Sequence, residues 1–193
     1  MLNPYRPEAL TDFSQPANVA AFQAALDMVK ARIGQTYPLV INGQSSAMDK
    51  TFDTINPARP AEVLARFADG TADHADQAIQ AATEAFKTWQ YVPVKDRARY
   101  LLRASAEMRR RKHEFSALMV LEAGKTWYEA DADTSEAIDF LDYYARQAVR
   151  IADASDQLTP YPPEQLGYYN IPLGVGAVIP PWNFPNAIPT GML

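Results

Sequence analysis

The spacing of apolar side chains changes several times along this chain, and each change marks an element. Over residues 11–34 Phe22, Leu26, Val29 and Ile33 recur at helical intervals, so the spacing predicts an amphipathic helix. Ser14 is placed to cap it, Pro16 falls in the first turn where a missing N–H costs nothing, and Gly34 provides a stop. The apolar run at 37–41 meets Asn42-Gly43, a hairpin turn signal, and 51–55 reads as the returning strand, closed by Asn56-Pro57. Residues 62–68 alternate as a third strand ahead of Asp69-Gly70.

Helical spacing then takes over. Residues 72–89 align Ala75, Ala78, Ile79, Ala82, Phe86 and Trp89 on one stripe, and 94–111 align Leu101, Leu102, Ala104 and Met108. Residues 113–123 carry Phe115, Leu118, Met119 and Leu121, with Gly124 suited to a left-handed stop. A long helix follows from 126 to 152, its stripe running through Trp127, Ala130, Ala137, Ile138, Leu141 and Ala145. Residues 153–167, rich in Pro, Asp, Gln and Gly, read as turn or extended chain. Two strands are expected at 168–171 and 175–179, joined through Pro172-Leu173-Gly174, before a proline-rich turn and a new apolar segment after Pro185. A strand leading through a turn into an apolar segment opens a βαβ unit, and further strands would be needed to complete a parallel sheet. The expected class is mixed α/β with an unfinished parallel sheet.

Composition narrows the function classes. The 193 residues are 48% hydrophobic and 21% charged, which is ordinary for a globular chain, and the net charge of −5 argues against a dedicated nucleic-acid binder. No apolar stretch approaches a membrane span, since Asp139 and Asp142 interrupt the most apolar helix, and the opening MLNPYRPEALTDF lacks a secretory pattern. A cytoplasmic location is expected. There is no cysteine, so disulfides, zinc–thiolate sites and a thiol nucleophile are excluded from these residues. His74 and His113 lie far apart on helix faces expected to be exposed, and no metal site is expected.

The stretch Pro180-Pro181-Trp182-Asn183-Phe184-Pro185 is the strongest chemical candidate. It reads as a proline-stiffened turn with a packed tryptophan, or as a rigid mount for Asn183 beyond a strand end, where open α/β sheets bind ligands. An asparagine NH₂ held in one place can stabilise an oxyanion, and it does so without titrating. Arg97, Arg99, Arg103 and the run Arg109–Lys112 suggest a phosphate face, or more simply a cationic helix end. Glu129, Asp133, Glu136 and Asp139 read as a solvated face of the long helix. Glu122-Ala123-Gly124-Lys125 reads as a helix ending, and neither a Walker loop nor a G-x-G-x-x-G turn occurs.

Taken together, NIPLGVGAVIPPWNFP, LVING, INPARPAEVLA and the stretch from AFKTWQ to EAGKTWYEA resemble the aldehyde dehydrogenase superfamily in order and spacing. The N-terminal helix, EAIDFLDYYARQA and YYNIPLGVGAVIPPWNFP make the chain most similar to its 1-pyrroline-5-carboxylate dehydrogenase group. That resemblance implies the first part of a Rossmann-type NAD-binding domain, with an N-terminal extension at 1–36, small strands and helices at 37–152, and an oligomerisation hairpin at 153–172. Residues 173–193 would then hold the first Rossmann strand, the loop and the start of the next helix.

The implied activity is NAD-dependent oxidation of glutamate semialdehyde to glutamate by a homo-oligomer. Asn183 matches the oxyanion donor, and Ile179, Pro180, Pro181 and Trp182 match the cofactor wall. Phe184 matches an aromatic wall near the aldehyde, and Glu136 a carboxylate for the substrate's amino group. The family's nucleophilic cysteine, base glutamate, ribose-binding lysine and Gly-rich turn fall beyond Leu193, so these 193 residues alone are expected to be inactive. Open alternatives are a dehydrogenase of another aldehyde, and a non-catalytic module that binds sibling subunits.

Overall fold

The computed structural model describes residues 3–46, 49–152 and 158–193. An N-terminal helix, α1 (Pro16–Lys30), leads into β1 (Gln35–Tyr37), β2 (Leu39–Ile41), β3 (Gln44–Ser46), β4 (Thr51–Asn56) and β5 (Arg59–Ala68). Four helices follow, α2 (Ala72–Trp89), α3 (Val94–Arg110), α4 (Lys112–Glu122) and α5 (Trp127–Ala152), and a short α6 (Ala187–Met192) lies near the end. Among the described residues no helix is long and apolar enough to cross a membrane.

The helices match the spacing closely, but the first strands do not pair as expected. The run at 37–41 is split by Pro38, which has no N–H to offer a ladder. Its first half, β1, pairs in parallel with β5, and its second half, β2, forms a hairpin with β3. Asn42 and Gly43 both adopt positive φ, 51° and 72°, as a two-residue hairpin turn requires. The returning strand is therefore 44–46 rather than 51–55, and β4 instead runs antiparallel to β5. Helix α1 begins at Pro16 and Gln15 takes the cap position without a side-chain bond, so Ser14 is not the cap. Gly34, at φ +86°, lies beyond the helix and donates its N–H to Leu64 O at 2.8 Å, tying α1 to β5.

Burial is concentrated where α1, β5 and α4 meet. Phe22, Ala25, Leu26, Val29, Leu64, Ala117 and Leu121 form one cluster, flanked by Phe13 and Trp127. The Phe22 ring lies 4.5 Å from that of Trp127, which carries the packing onto α5. Along α5 the contacts are with α3, α4 and α6. Ala130, Ala137 and Ala145 are fully buried there, and small side chains let helices approach closely. Segment 8–12 is strapped across these helices: the Glu8 N–H donates to Asp139 at 2.8 Å, and Thr11 donates to Asp131 through its N–H at 2.7 Å and its hydroxyl at 2.6 Å.

The strands expected at 168–171 and 175–179 are absent. Those residues run without secondary structure and without strand partners, and Leu173 and Ile179 are 105% and 84% exposed. An extended segment becomes a strand only when a neighbour takes up its N–H and C=O groups, and no described segment lies beside this one to do so. Residues 153–157 of the expected hairpin lie outside the described residues, and 158–172 show no strand pairing.

Two consequences can be measured. Gly191 packs α6 onto Phe140, where an added Cβ would come within 2.8 Å of the ring. Gly191→Ala is expected to cost about 1–3 kcal/mol of docking stability and to speed proteolysis within 184–193 while leaving the α1–β5–α4 core protected. Glu114 accepts from Arg111 at 2.8 Å and from Arg32 at 2.6 Å, and these hydrogen bonds, Arg111's foremost, lower its carboxyl to about 2 against some opposing desolvation. A depressed carboxyl pKa adds stability above the ordinary value near 4.5 and loses it as pH falls toward 2. Urea titrations across that window should show the native protein losing about 1–2 kcal/mol more than Glu114→Gln, a modest amount because the arginines are partly solvated.

Candidate active site

The loop carrying Asn183 approaches the N-terminal half of α5, and the meeting point is a cavity of about 430 Å³. Its lining includes Lys125, Asp133, Glu136, Trp182, Asn183 and Phe184. Three elements position these groups. Helix α4 ends at Glu122, and Gly124 at φ +66° reverses the chain so that Lys125 turns back toward the loop. Helix α5 starts just after Thr126, whose N–H and hydroxyl both donate to the Glu129 carboxylate, at 2.9 and 2.8 Å. The Glu129 N–H donates in return to the Thr126 hydroxyl at 3.3 Å, a reciprocal cap that fixes the first turn. The first of these bonds, from the Thr126 N–H, is the main reason the Glu129 carboxyl titrates below its ordinary range. The loop itself is stiffened by Pro180, Pro181 and Pro185, whose rings hold φ.

The acidic stripe on α5 is not one solvated face. Asp133 has no exposed side-chain surface: one oxygen accepts from Lys125 Nζ at 2.5 Å and the other from the Ala187 N–H at 2.6 Å. Lys125 Nζ also stands 4.5 Å from the centroid of the Phe184 ring. Asp139 is half-buried under the N-terminal strap, and Glu129 caps the helix. Glu136, one turn after Asp133, is exposed and faces the same cavity as Asn183.

The sequence spacing thus paired Glu136 with no partner, and the fold brings it to the loop. Lys125 and Asp133 were missed as site components. A signal was present: Asp133 stands three residues after Ala130 and four before Ala137, inside the buried stripe, where a carboxylate must find a counter-charge.

Trp182 is not the packed anchor that its type suggests. It is 86% exposed and, with Ile179, Pro180 and Pro181, forms an open, uncharged strip ahead of Asn183. Such a strip fits one flat face of a dinucleotide but offers no cation for a pyrophosphate.

Five residues of the basic cluster are held in ion pairs. Arg109 meets Glu8 and Asp142, Arg110 meets Glu107, Arg111 meets Glu114, Lys112 meets Asp131 and Arg99 meets Asp96. These pairs favour the helix-surface reading of the run at 109–112. His74 accepts from the Thr71 N–H at 3.1 Å as part of the α2 cap. His113 is half-buried beside Phe22 instead of exposed, and burial lowers its pKa. A second cavity, about 400 Å³ between α1, α4 and β5, is lined mainly by apolar side chains, by Arg32, Arg111 and Glu114, which are paired with one another, and by Glu122. It stands apart from the loop.

The chain is similar to known proteins along almost its whole length. The chain is 50% identical over 191 residues to a 1-pyrroline-5-carboxylate dehydrogenase of Geobacillus sp. (strain WCH70), and 49% identical to 1-pyrroline-5-carboxylate dehydrogenase 2 of Bacillus subtilis (strain 168). Each match covers 99% of this chain, and the chain spans about 37% of the length of these relatives. Its fold superposes with a TM-score of 0.93 on a Thermus 1-pyrroline-5-carboxylate dehydrogenase with bound NAD, at 44% identity, covering 99% of this chain and 37% of that one. It superposes with a TM-score of 0.82 on proline utilization A from Bdellovibrio bacteriovorus, at 33% identity, covering 98% of this chain and 20% of that one. The model of the aldehyde dehydrogenase family matches residues 44–193, and this chain belongs to that family.

Proposed function

We propose that these residues form the N-terminal part of an NAD-dependent 1-pyrroline-5-carboxylate dehydrogenase, which oxidises glutamate semialdehyde to glutamate. The observation that carries the reading is the convergence of Asn183, Phe184 and Glu136 on one cavity at the end of the 174–181 segment, in a chain whose relatives bear that name. The substrate carries an aldehyde to be attacked and an α-amino acid end to be held. Asn183 offers a neutral NH₂ donor on a proline-stiffened backbone, suited to the negative charge that develops on the aldehyde oxygen. Glu136 offers an exposed carboxylate for the amino group, and Phe184 an apolar wall that excludes water beside the reacting carbon.

NAD, when bound, supplies the hydride acceptor. The strip of Ile179, Pro180, Pro181 and Trp182 fits one wall for it, with charge for the phosphates supplied from elsewhere. The chain contains no cysteine, so the nucleophile also comes from outside these residues. Without that covalent step an oxyanion donor yields only residual catalysis, so the 193-residue chain alone should form no NADH from the semialdehyde. Measurable turnover by the isolated chain would overturn this.

In the complete enzyme, Asn183→Ala should lower kcat roughly 10²–10³-fold with little change in KM, read by NADH absorbance. Glu136→Gln should raise KM for glutamate semialdehyde by about tenfold and leave simple aliphatic aldehydes unaffected. Equal losses on both substrate classes would assign the enzyme to another aldehyde. Self-association through 153–172 belongs to the same proposal. It is supported by the exposed apolar side chains Leu166, Tyr168, Tyr169 and Ile171, and removal of 158–172 should lower the assembled mass in light scattering.

A further inference from the structure

The loop bearing Asn183 makes few polar contacts with the rest of the molecule, while α6 behind it packs on α5 through Gly191 and Phe140. Among the described residues, the only side-chain hydrogen bond between residues 179–193 and the remainder of the protein is the one from the Ala187 N–H to Asp133. Pro180, Pro181 and Pro185 have no N–H with which to anchor the loop themselves. Their stiffness means that whatever sets the position of one end of the loop sets the position of Asn183.

We propose that Asp133 is a positioning residue for Asn183. With Lys125 as counter-ion, it latches the loop onto α5 from below and fixes where the Asn183 amide points. This rests on Asn183 being the oxyanion donor. The ion pair touches two points of the loop: the carboxylate takes the Ala187 N–H at 2.6 Å, and the ammonium stands 4.5 Å from the Phe184 ring centroid. Asn183 directly precedes Phe184, so both contacts act immediately on its C-terminal side.

Asp133 borders the cavity, but its side chain is wholly buried and both of its oxygens are already engaged, one by Lys125 and one by the Ala187 N–H. Two exposed carboxylates of this helix line the cavity: Glu129, which is engaged in capping α5, and Glu136, one turn after Asp133. Glu136 and Asp133 therefore divide the work, one toward the ligand and one toward the loop. The pair is also self-limiting: a buried carboxylate without its ammonium, or the reverse, is strongly disfavoured, so the latch forms as a unit. A shift of about 1 Å in a catalytic donor can cost on the order of 10²-fold in rate, which is what the latch prevents.

Amide hydrogen exchange on the 193-residue chain tests the latch directly. Asp133→Ala should speed exchange across 184–190 by about tenfold and leave the α1–β5–α4 core unchanged. Asp133→Asn, which keeps an acceptor for the Ala187 N–H but loses the charge, should fall between, and Lys125→Met provides a second way to break the pair if Asp133→Ala does not fold. Unchanged exchange at 184–190 in a folded variant, or faster exchange spread evenly over α3, α4 and α5, overturns the latch.

In the complete enzyme, Asp133→Asn should lower kcat roughly ten- to a hundredfold with KM for NAD unchanged, and should add no further loss once Asn183 is alanine. Losses that multiply in the double variant overturn the positioning role. Full activity of Asn183→Ala would overturn the oxyanion reading and the catalytic half of this one, and is separable because the exchange result does not depend on turnover.

Discussion

A carboxylate buried without water must be given a positive charge and hydrogen-bond donors, or it will not stay ionised where it is. Asp133 imposes that requirement where the 179–193 segment meets α5, and the local architecture follows from meeting it. The positive charge comes from Lys125, delivered by the left-handed turn at Gly124 that ends α4. The N–H comes from Ala187, at the start of α6. Segments more than fifty residues apart in sequence are thereby joined at one side chain, and the cavity between them is a by-product of the join.

The same rule explains why the other charges of the helical layer carry no separate chemistry. Asp131 is almost wholly buried and is met by Thr11 and by Lys112 at 3.2 Å, which straps the N-terminal segment to α5. Glu114 is met by two arginines, Arg32 just after α1 and Arg111 between α3 and α4. Each acidic side chain inside the boundary has its partner, so the basic run at 109–112 is a set of structural ties. Glu136 is exposed at the cavity, with no salt-bridge partner among the described residues.

The segment 166–182 presents the opposite situation. Tyr169, Ile171, Leu173, Ile179 and Trp182 are all more than four-fifths exposed. Apolar side chains in such density acquire a stable place only when another surface covers them, whether further strands of a sheet or a sibling subunit. The chain spans about 37% of the length of its relatives.

Helices α2 to α5 were legible almost to the residue, because amphipathic spacing and end signals are local and act through the helix's own hydrogen bonds. The Asn42-Gly43 turn was legible for the same reason, since positive φ at two successive positions selects those residue types. The motif around Asn183 was legible as a stiff turn, and its catalytic reading rests on family resemblance. Strand pairing was not. Pro38 divided one apolar run between two sheets, and the segments at 168–171 and 175–179 found no described partner, because a ladder depends on which chain lies alongside. Nor was the burial of Asp133, the pairing of Lys125 across Phe184, or the exposure of Trp182. Sequence alone therefore determined the helices, the turn and the rigid mount of Asn183, all set by nearest neighbours along the chain. Tertiary structure decided which charges lie in water and which hold the loop, because burial and counter-charges are properties of segments that meet only when the chain has folded.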